Sequence, residues 1–252
     1  MKRIKIIIEY DGSRYHGFQA QQNAHTIQEE IEQSIYKLTR DKVSIMAAGR
    51  TDAGVHALGQ VATFDTDSSI PGPKWQFALN SFLPDDIQVL KSEQVSPHFN
   101  PRFDAISKLY RYVIYRQKSG HVFYRNYSLY DDESLDIDAM KRACNVLQGT
   151  HNFSSFCASG SSVKTFERTI TFCRLFEQGP CLIMEIEANG FLYNMVRIIM
   201  GTLREVGRGK YPPQYLEDII AAQNRSLAGP TIAPQGLYLV RVDYPQSSRD
   251  GS

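Results

Sequence analysis

Nothing in this 252-residue chain runs apolar for the roughly 18–20 residues that a membrane-spanning helix requires, so no membrane contact is expected. The opening Met1-Lys2-Arg3-Ile4-Lys5-Ile6-Ile7-Ile8-Glu9 is basic and then apolar, as a signal peptide is. Its apolar stretch is short and runs straight into Glu9 and Asp11, which favours a strand. Cysteine is scarce. Cys144, Cys157, Cys173 and Cys181 form no Cys-x-x-Cys pair, which excludes a zinc ribbon or a dense disulfide frame and suits free thiols in a reducing cytoplasm. The histidines never form His-x-x-x-His or join a cysteine pair, so no metal site is expected. A phosphate loop is also missing: around Gly209-Lys210, Arg204 stands where the first glycine belongs and Tyr211 where Ser or Thr would be.

Excess charge is lacking too. The formal net charge is +1, far from the strongly basic balance usual in nucleic-acid binders. Its distribution is uneven, however. Arg102, Lys108, Arg111, Arg116 and Lys118 stand against Asp104, and Arg197, Arg204, Arg208 and Lys210 against Glu205. Acidic residues gather elsewhere, in Asp131, Asp132, Glu133, Asp136 and Asp138. Such segregation can build one basic face on a nearly neutral protein. The 42% hydrophobic and 22% charged fractions are those of a soluble globular chain with a sizeable core.

What is present reads as α+β. Lys5 to Tyr10 is a β-rich run ending at the turn signal Asp11-Gly12. Ile27, Ile31, Ile35 and Leu38 recur at helical spacing, with Thr26 as N-cap three residues before Glu29. Strands follow at Val43 to Ala48, Gln60 to Phe64 and Ile87 to Leu90, with a short helix from Pro73 to Phe82. The later part offers a strand from Leu109 to Tyr115, helices at Asp136 to Leu147, Asn194 to Val206 and Leu216 to Ala222, and a closing strand at Leu237 to Val242. Thr169 to Phe176 and Leu182 to Ala188 read as a hairpin around Gln178-Gly179-Pro180. The expected division is 1–104 and 105–245, two α/β halves with mixed or antiparallel sheets flanked by helices, and a polar tail at 246–252.

The segment Gly49-Arg50-Thr51-Asp52-Ala53-Gly54-Val55-His56, between two strands, is longer than the 2–5 residues a plain hairpin needs. Its glycines permit positive φ or close backbone approach, and Arg50 stands near enough to favour an ionised Asp52. Asp52-Ala53-Gly54 is equally compatible with an ordinary Asx-type turn.

The whole string resembles the signature loop of the TruA family of tRNA pseudouridine synthases, whose aspartate is catalytic. The resemblance continues, in order, through Tyr10-Asp11-Gly12-Ser13, Gly17-Phe18-Gln19-Ala20-Gln21, Leu83-Pro84-Asp85-Asp86-Ile87, Arg102-Phe103-Asp104-Ala105 and Tyr110-Arg111-Tyr112. Gly149-Thr150-His151-Asn152-Phe153, Phe191-Leu192-Tyr193-Asn194-Met195-Val196-Arg197 and Gly236-Leu237-Tyr238-Leu239 complete it. Phe18 stands where the family usually has Trp, and Asn100-Pro101 where it often has His-Ala.

The resemblance implies two α+β halves with a basic active-site cleft between them. It also implies a cytoplasmic homodimer that isomerises uridines at positions 38, 39 and 40 of the tRNA anticodon stem-loop. Asp52 is then the nucleophile or base, Tyr110 lies against the target uracil, and Leu237 forms part of an apolar wall. Arg197, set in an apolar helix, either meets Asp52 or snorkels to the surface. Arg50 pairs with Asp52, contacts phosphate or fills the gap left by a flipped base. Isomerisation is redox-neutral and hydrolyses nothing, so it calls for no cofactor or metal. Two other readings compete: a non-catalytic RNA-binding module, and a glycoside hydrolase pairing Asp52 with Asp65 or Asp67.

Overall fold

The computed structural model describes residues 1–160 and 163–245, and the expected polar tail lies outside the described residues. The chain divides into two compact units. One is Met1–Ser107 together with the chain from Leu239 onward, and the other is Lys108–Tyr238. The fold is α+β.

In the first unit, β1 (Lys2–Tyr10) pairs antiparallel with β3 (His56–Thr66) and β4 (Ile87–Val95). With β10 (Leu237–Asp243) the strand order is β4-β1-β3-β10, and β2 (Met46–Ala47) pairs with β3 off this path. Alternation sets the two faces: Ile4, Ile6, Ile8 and Tyr10 are buried, while Arg3 and Lys5 on the other face pair with Asp65 and Glu93. The helix expected around Ile27 forms as α1 (Ile27–Thr39), with the Glu29 N–H donating to Thr26 Oγ1 at 3.4 Å. Its Ile27, Ile31 and Ile35 are fully buried, about 1.5–3 kcal/mol each as an upper bound. Trp75 opens α2 (Trp75–Asn80) and packs edge-on against Phe64 of β3, ring centroids 4.9 Å apart. The strand expected from Val43 shortens to Met46–Ala47, because the Ile45 N–H donates instead to the Glu32 carboxylate at 2.9 Å.

The second unit is built on β5 (Ser107–Tyr115), β6 (Leu129–Tyr130), β7 (Gly149–Asn152), β8 (Glu167–Gln178) and β9 (Cys181–Ala188). The order β5-β9-β8-β7 is antiparallel throughout, and β6 adds a parallel pairing to β5. The expected hairpin is present, turning at Gly179-Pro180 with Gly179 at φ +55°. Helices α3 (Ile137–Val146), α4 (Met195–Gly207) and α5 (Tyr215–Ala222) bury Met140, Ile198, Ile199, Leu203, Leu216 and Ile219. All four cysteines are free and buried. Among the described residues no helix is long and apolar enough to cross a membrane.

Candidate active site

Asp52 sits on a loop fixed by hydrogen bonds on both sides. β1 delivers Tyr10 and Asp11 to a turn in which Asp11 Oδ1 accepts from the Ser13 N–H. The segment 12–18 then lies against the backbone of 49–56. A Cβ on Gly12 would come within 2.0 Å of the Val55 carbonyl oxygen, so only glycine fits. Gly17 has φ +94°, and a Cβ there would meet the Thr51 carbonyl oxygen at 2.6 Å.

This close approach permits a set of cross-bonds. The Phe18 N–H donates to Thr51 O at 3.0 Å, and the Gly54 N–H to Tyr15 O at 3.3 Å. The Gly12 N–H donates to His56 Nδ1 at 3.1 Å, and the same nitrogen lies 3.2 Å from Asp11 Oδ1, so the buried His56 ring braces the Asp11-Gly12 turn. From β3, Gln60 Nε2 donates to Gly49 O at 2.9 Å. The Tyr10 hydroxyl meets Thr51 Oγ1 at 2.8 Å in the interior. Burial pushes the Tyr10 phenol up to about 12 against the pull of its Thr51 and Gln60 hydrogen bonds, so it stays neutral. Behind this segment, Tyr15 donates to Asp86 at 2.7 Å, and the Asp86 carbonyl accepts the Asp11 N–H.

Asp52 itself opens a tight turn closed by its own carbonyl and the Val55 N–H at 3.1 Å, with Gly54 at φ +76°. Its side chain is half-buried. The neighbouring residues are bonded at Gly49, Thr51, Gly54 and Val55, so the Cα of Asp52 has little freedom. Arg50 is exposed and makes no hydrogen bond or ion pair with any described residue. Of its three expected roles, pairing with Asp52 is therefore not the one seen. Asp65 and Asp67 are engaged elsewhere, by Arg3 and by the chain's N-terminal amine at 2.7 Å. Hydrogen bonding from Arg3 holds the Asp65 carboxyl below its usual range despite partial burial. A carboxyl held ionised in this way is poorly suited to be a glycosidase's general acid.

Three further candidates belong to the second unit and share one frame. Tyr110 lies on β5 opposite Ile186, buried, with its ring edge-on to Phe191 at 5.0 Å. Arg197, in the first turn of α4, donates from Nε to Ile232 O and from Nη1 to Asn194 Oδ1, both at 2.7 Å. Asn194 adopts the left-handed conformation at φ +59°, which asparagine tolerates well. One position downstream of the Arg197 contact, Tyr112 of β5 donates to Ala233 O at 2.6 Å, and Gly236 presses against the Val113 carbonyl. Buried Leu237 follows directly. The 232–237 segment thus ties the Arg197 guanidinium and the Tyr110 strand together. Sequence reasoning did not single out Gln60, Ala233 or Ile232; the last two act through backbone carbonyls, which leave no residue signature.

One charge expectation needs correction. Arg204 bonds Asp131 at 2.7 Å, Arg208 bonds Glu133 and Glu205, and Lys210 bonds Glu205. Two arginines of the second basic run are thus paired with two carboxylates of the acidic cluster, so that run is not a free basic face. Arg111 is likewise joined with Arg174 to the buried Glu185.

Comparison with known proteins identifies the family. A family model described as tRNA pseudouridine synthase matches residues 6–104 and 143–245, most of the chain. The chain belongs to the tRNA pseudouridine synthase family. Among its relatives, tRNA pseudouridine synthase A of Syntrophomonas wolfei is 61% identical over 249 residues, covering 99% of this chain and 100% of the relative. The proteins of the same name from Acetivibrio thermocellus and Moorella thermoacetica are 48% and 47% identical, each covering 97% of this chain and 100% of the relative. The family match spans both units, and its first segment contains the whole Asp52 loop.

Proposed function

We propose that this protein isomerises uridine to pseudouridine in tRNA, at positions 38, 39 and 40 of the anticodon stem-loop, with Asp52 as the catalytic carboxylate. The observation that carries the reading is the fixed Asp52 turn inside a chain that matches the family along most of its length. The reaction breaks the N1–C1′ bond, turns the uracil and forms a C5–C1′ bond, with the C5 proton released. Asp52 acts on the sugar as nucleophile or base, and holding it still reduces the entropy lost on reaching the transition state. The target base must leave its stack, at a few kcal/mol. Tyr110 offers an aromatic face to the flipped uracil, Leu237 an apolar wall, and Arg197 a cation for the catalytic carboxylate. The cation of Arg50, which pairs with none of the described residues, contacts phosphate or fills the vacated stack. The same reading makes the protein a cytoplasmic homodimer, which sedimentation of the purified protein tests.

The deciding experiment is release of tritium from C5-labelled uridine in unmodified tRNA. Wild-type protein is expected to release it, and Asp52→Asn to release none while still binding tRNA, since phosphate contacts dominate affinity. Turnover by Asp52→Asn at the wild-type rate contradicts the assignment, and a wild-type protein that binds but never releases label is a binding module.

A further inference from the structure

The loop after β5 combines two properties that rarely occur together. From Arg116 to Tyr130 it carries Arg116, Lys118, His121 and Arg125 and not one acidic residue. Over the same span Val122, Phe123, Tyr124, Tyr127 and Tyr130 are exposed, Phe123 at 86%. A soluble protein normally hides a phenylalanine so far from its core, unless something else covers it.

The loop is braced from below, so the exposure is not a frayed end. The Tyr115 ring stacks on Tyr124 at 4.6 Å, and its hydroxyl donates to Ser119 O at 2.5 Å. Gly120, at φ +85°, makes the bend, where a Cβ would meet the Tyr115 hydroxyl at 2.7 Å. The N–H groups of Tyr124 and Tyr127 donate to His121 O and Tyr124 O, both at 2.9 Å. Tyr238 donates to Tyr127 O at 2.6 Å, and Arg125 reaches back to the Val122 carbonyl. These bonds hold a short turn, His121–Phe123, with the Phe123 ring out in solvent. A ring pre-set in this way loses little entropy on contact with a partner.

We propose that the Arg116–Ser128 loop is a second RNA-binding element, whose tip stacks Phe123 on an unpaired base of the substrate tRNA while its cations meet the flanking phosphates. Basic side chains interleaved with exposed aromatics are the chemistry of single-stranded nucleic-acid platforms. The absence of acid over the whole loop gives the charge complementarity to a polyanion. Of the carboxylates that follow, Asp131 is buried and paired with Arg204 and Glu133 is paired with Arg208, while the exposed Asp132 bonds the Tyr130 hydroxyl at the far end of the span from Phe123. Position argues for a nucleotide other than the one modified. Tyr110 and Tyr115 are five residues apart on one strand, about 17 Å. That exceeds the span of a single flipped nucleotide, so the tip reads another part of the same tRNA. The inference rests on the tRNA reading above and extends it to a second contact.

The test is direct binding of fluorescently labelled full-length tRNA transcript to the intact protein, with C5-tritium release measured in parallel. Phe123→Ala is expected to weaken binding about 5- to 150-fold, the effect of losing one base–aromatic stack. Phe123→Trp should restore it, and the loss should appear in KM. Lys118→Gln should reduce the log–log salt slope by about 0.7–0.9. Phe123 is almost fully exposed, so its removal should leave the melting temperature unchanged. Wild-type affinity in Phe123→Ala overturns the proposal. So does a change in sedimentation without a change in tRNA affinity, which would make the tip a contact between copies of the chain. A wild-type protein that binds no tRNA overturns both this proposal and the synthase reading, whereas binding without turnover overturns only the latter.

Discussion

Gly17 is the most informative position at which to disturb the site without touching its chemistry. Replacing it by alanine puts a Cβ 2.6 Å from the Thr51 carbonyl oxygen, whereas ordinary contact starts at 3.4 Å. The backbone of Thr51, next to Asp52, must therefore yield by about 0.8 Å, since packed interiors have no slack to absorb it. The φ of +94° adds roughly 1–2 kcal/mol of left-handed strain. A misplacement near 1 Å can reduce a rate about 100-fold when reacting groups must meet at fixed distance. Gly17→Ala should therefore lower kcat by that order while changing tRNA affinity less than about threefold, because phosphate contacts carry most of the binding. The matched control is Gly209→Ala: its φ is +74° and nothing lies within 4 Å of the added carbon, so it takes the backbone strain without the collision. Single-turnover label release at saturating protein separates the rate from binding, and thermal melting reports the strain in both variants. Wild-type kcat in Gly17→Ala would refute the claim that the 12–18 segment positions Asp52. Equal rate losses in the two variants would mean that general destabilisation, and not placement, is responsible.

Other expectations follow from the same geometry. Tyr110→Phe keeps the aromatic face and removes the phenolic oxygen; it should bind tRNA nearly as well as wild type but turn over far more slowly, and a wild-type single-turnover rate would limit Tyr110 to stacking. Arg204→Ala leaves the buried Asp131 carboxylate without its cation, so stability should fall by about 3–5 kcal/mol in urea titration while the salt slope of tRNA binding stays put; a flatter slope would return Arg204 to the RNA surface. Burial of Glu185 opposes its ionisation, but hydrogen bonds from Arg174 and Arg111 outweigh it and hold the carboxyl below its ordinary range. A depressed carboxyl stabilises the fold above its unfolded value and loses that contribution as pH falls through the folded one, so Glu185→Gln should flatten the acid limb of stability below about pH 4.5. An unchanged acid limb would show that the two arginines do not hold it.

The Asp52 loop was legible because its signal is local. Gly49 to His56 is an uninterrupted run, and the conformational demand on Gly54 follows from the turn it makes. The Thr26 cap and the isoleucine spacing of α1 are local in the same sense, and the structure bears them out. Short pairings carried no such signal. The two residues of β6 form a strand only because Ile114 and Tyr115 lie alongside them, and Val43 to Ile45 lost its place to a glutamate thirteen residues upstream. The grip on Asp52 was half legible: Gly12 and Gly17 are visible as turn residues, but what each one touches is set only when 12–18 meets 49–56.

Charge was least legible, and its physical basis explains why. A run of arginines identifies cations, but partner choice is decided by which carboxylate folding brings within about 3 Å. Arg204 meets Asp131 across 73 residues of sequence, and Arg111 meets Glu185 across 74. Once such pairs are buried, neither member is available to a polyanion, because separating them leaves an uncompensated charge in the interior. The net charge of +1 is thus not spread evenly over the surface. Lys118 and Arg125, on the loop that also displays Phe123, stand outside every such ion pair among the described residues, as do Arg50, Lys37, Lys42, Arg102 and Arg142 elsewhere. On the tRNA reading proposed above, a nearly neutral protein needs only a few such cations to meet phosphate, while buried pairs such as Arg204–Asp131 contribute to the fold.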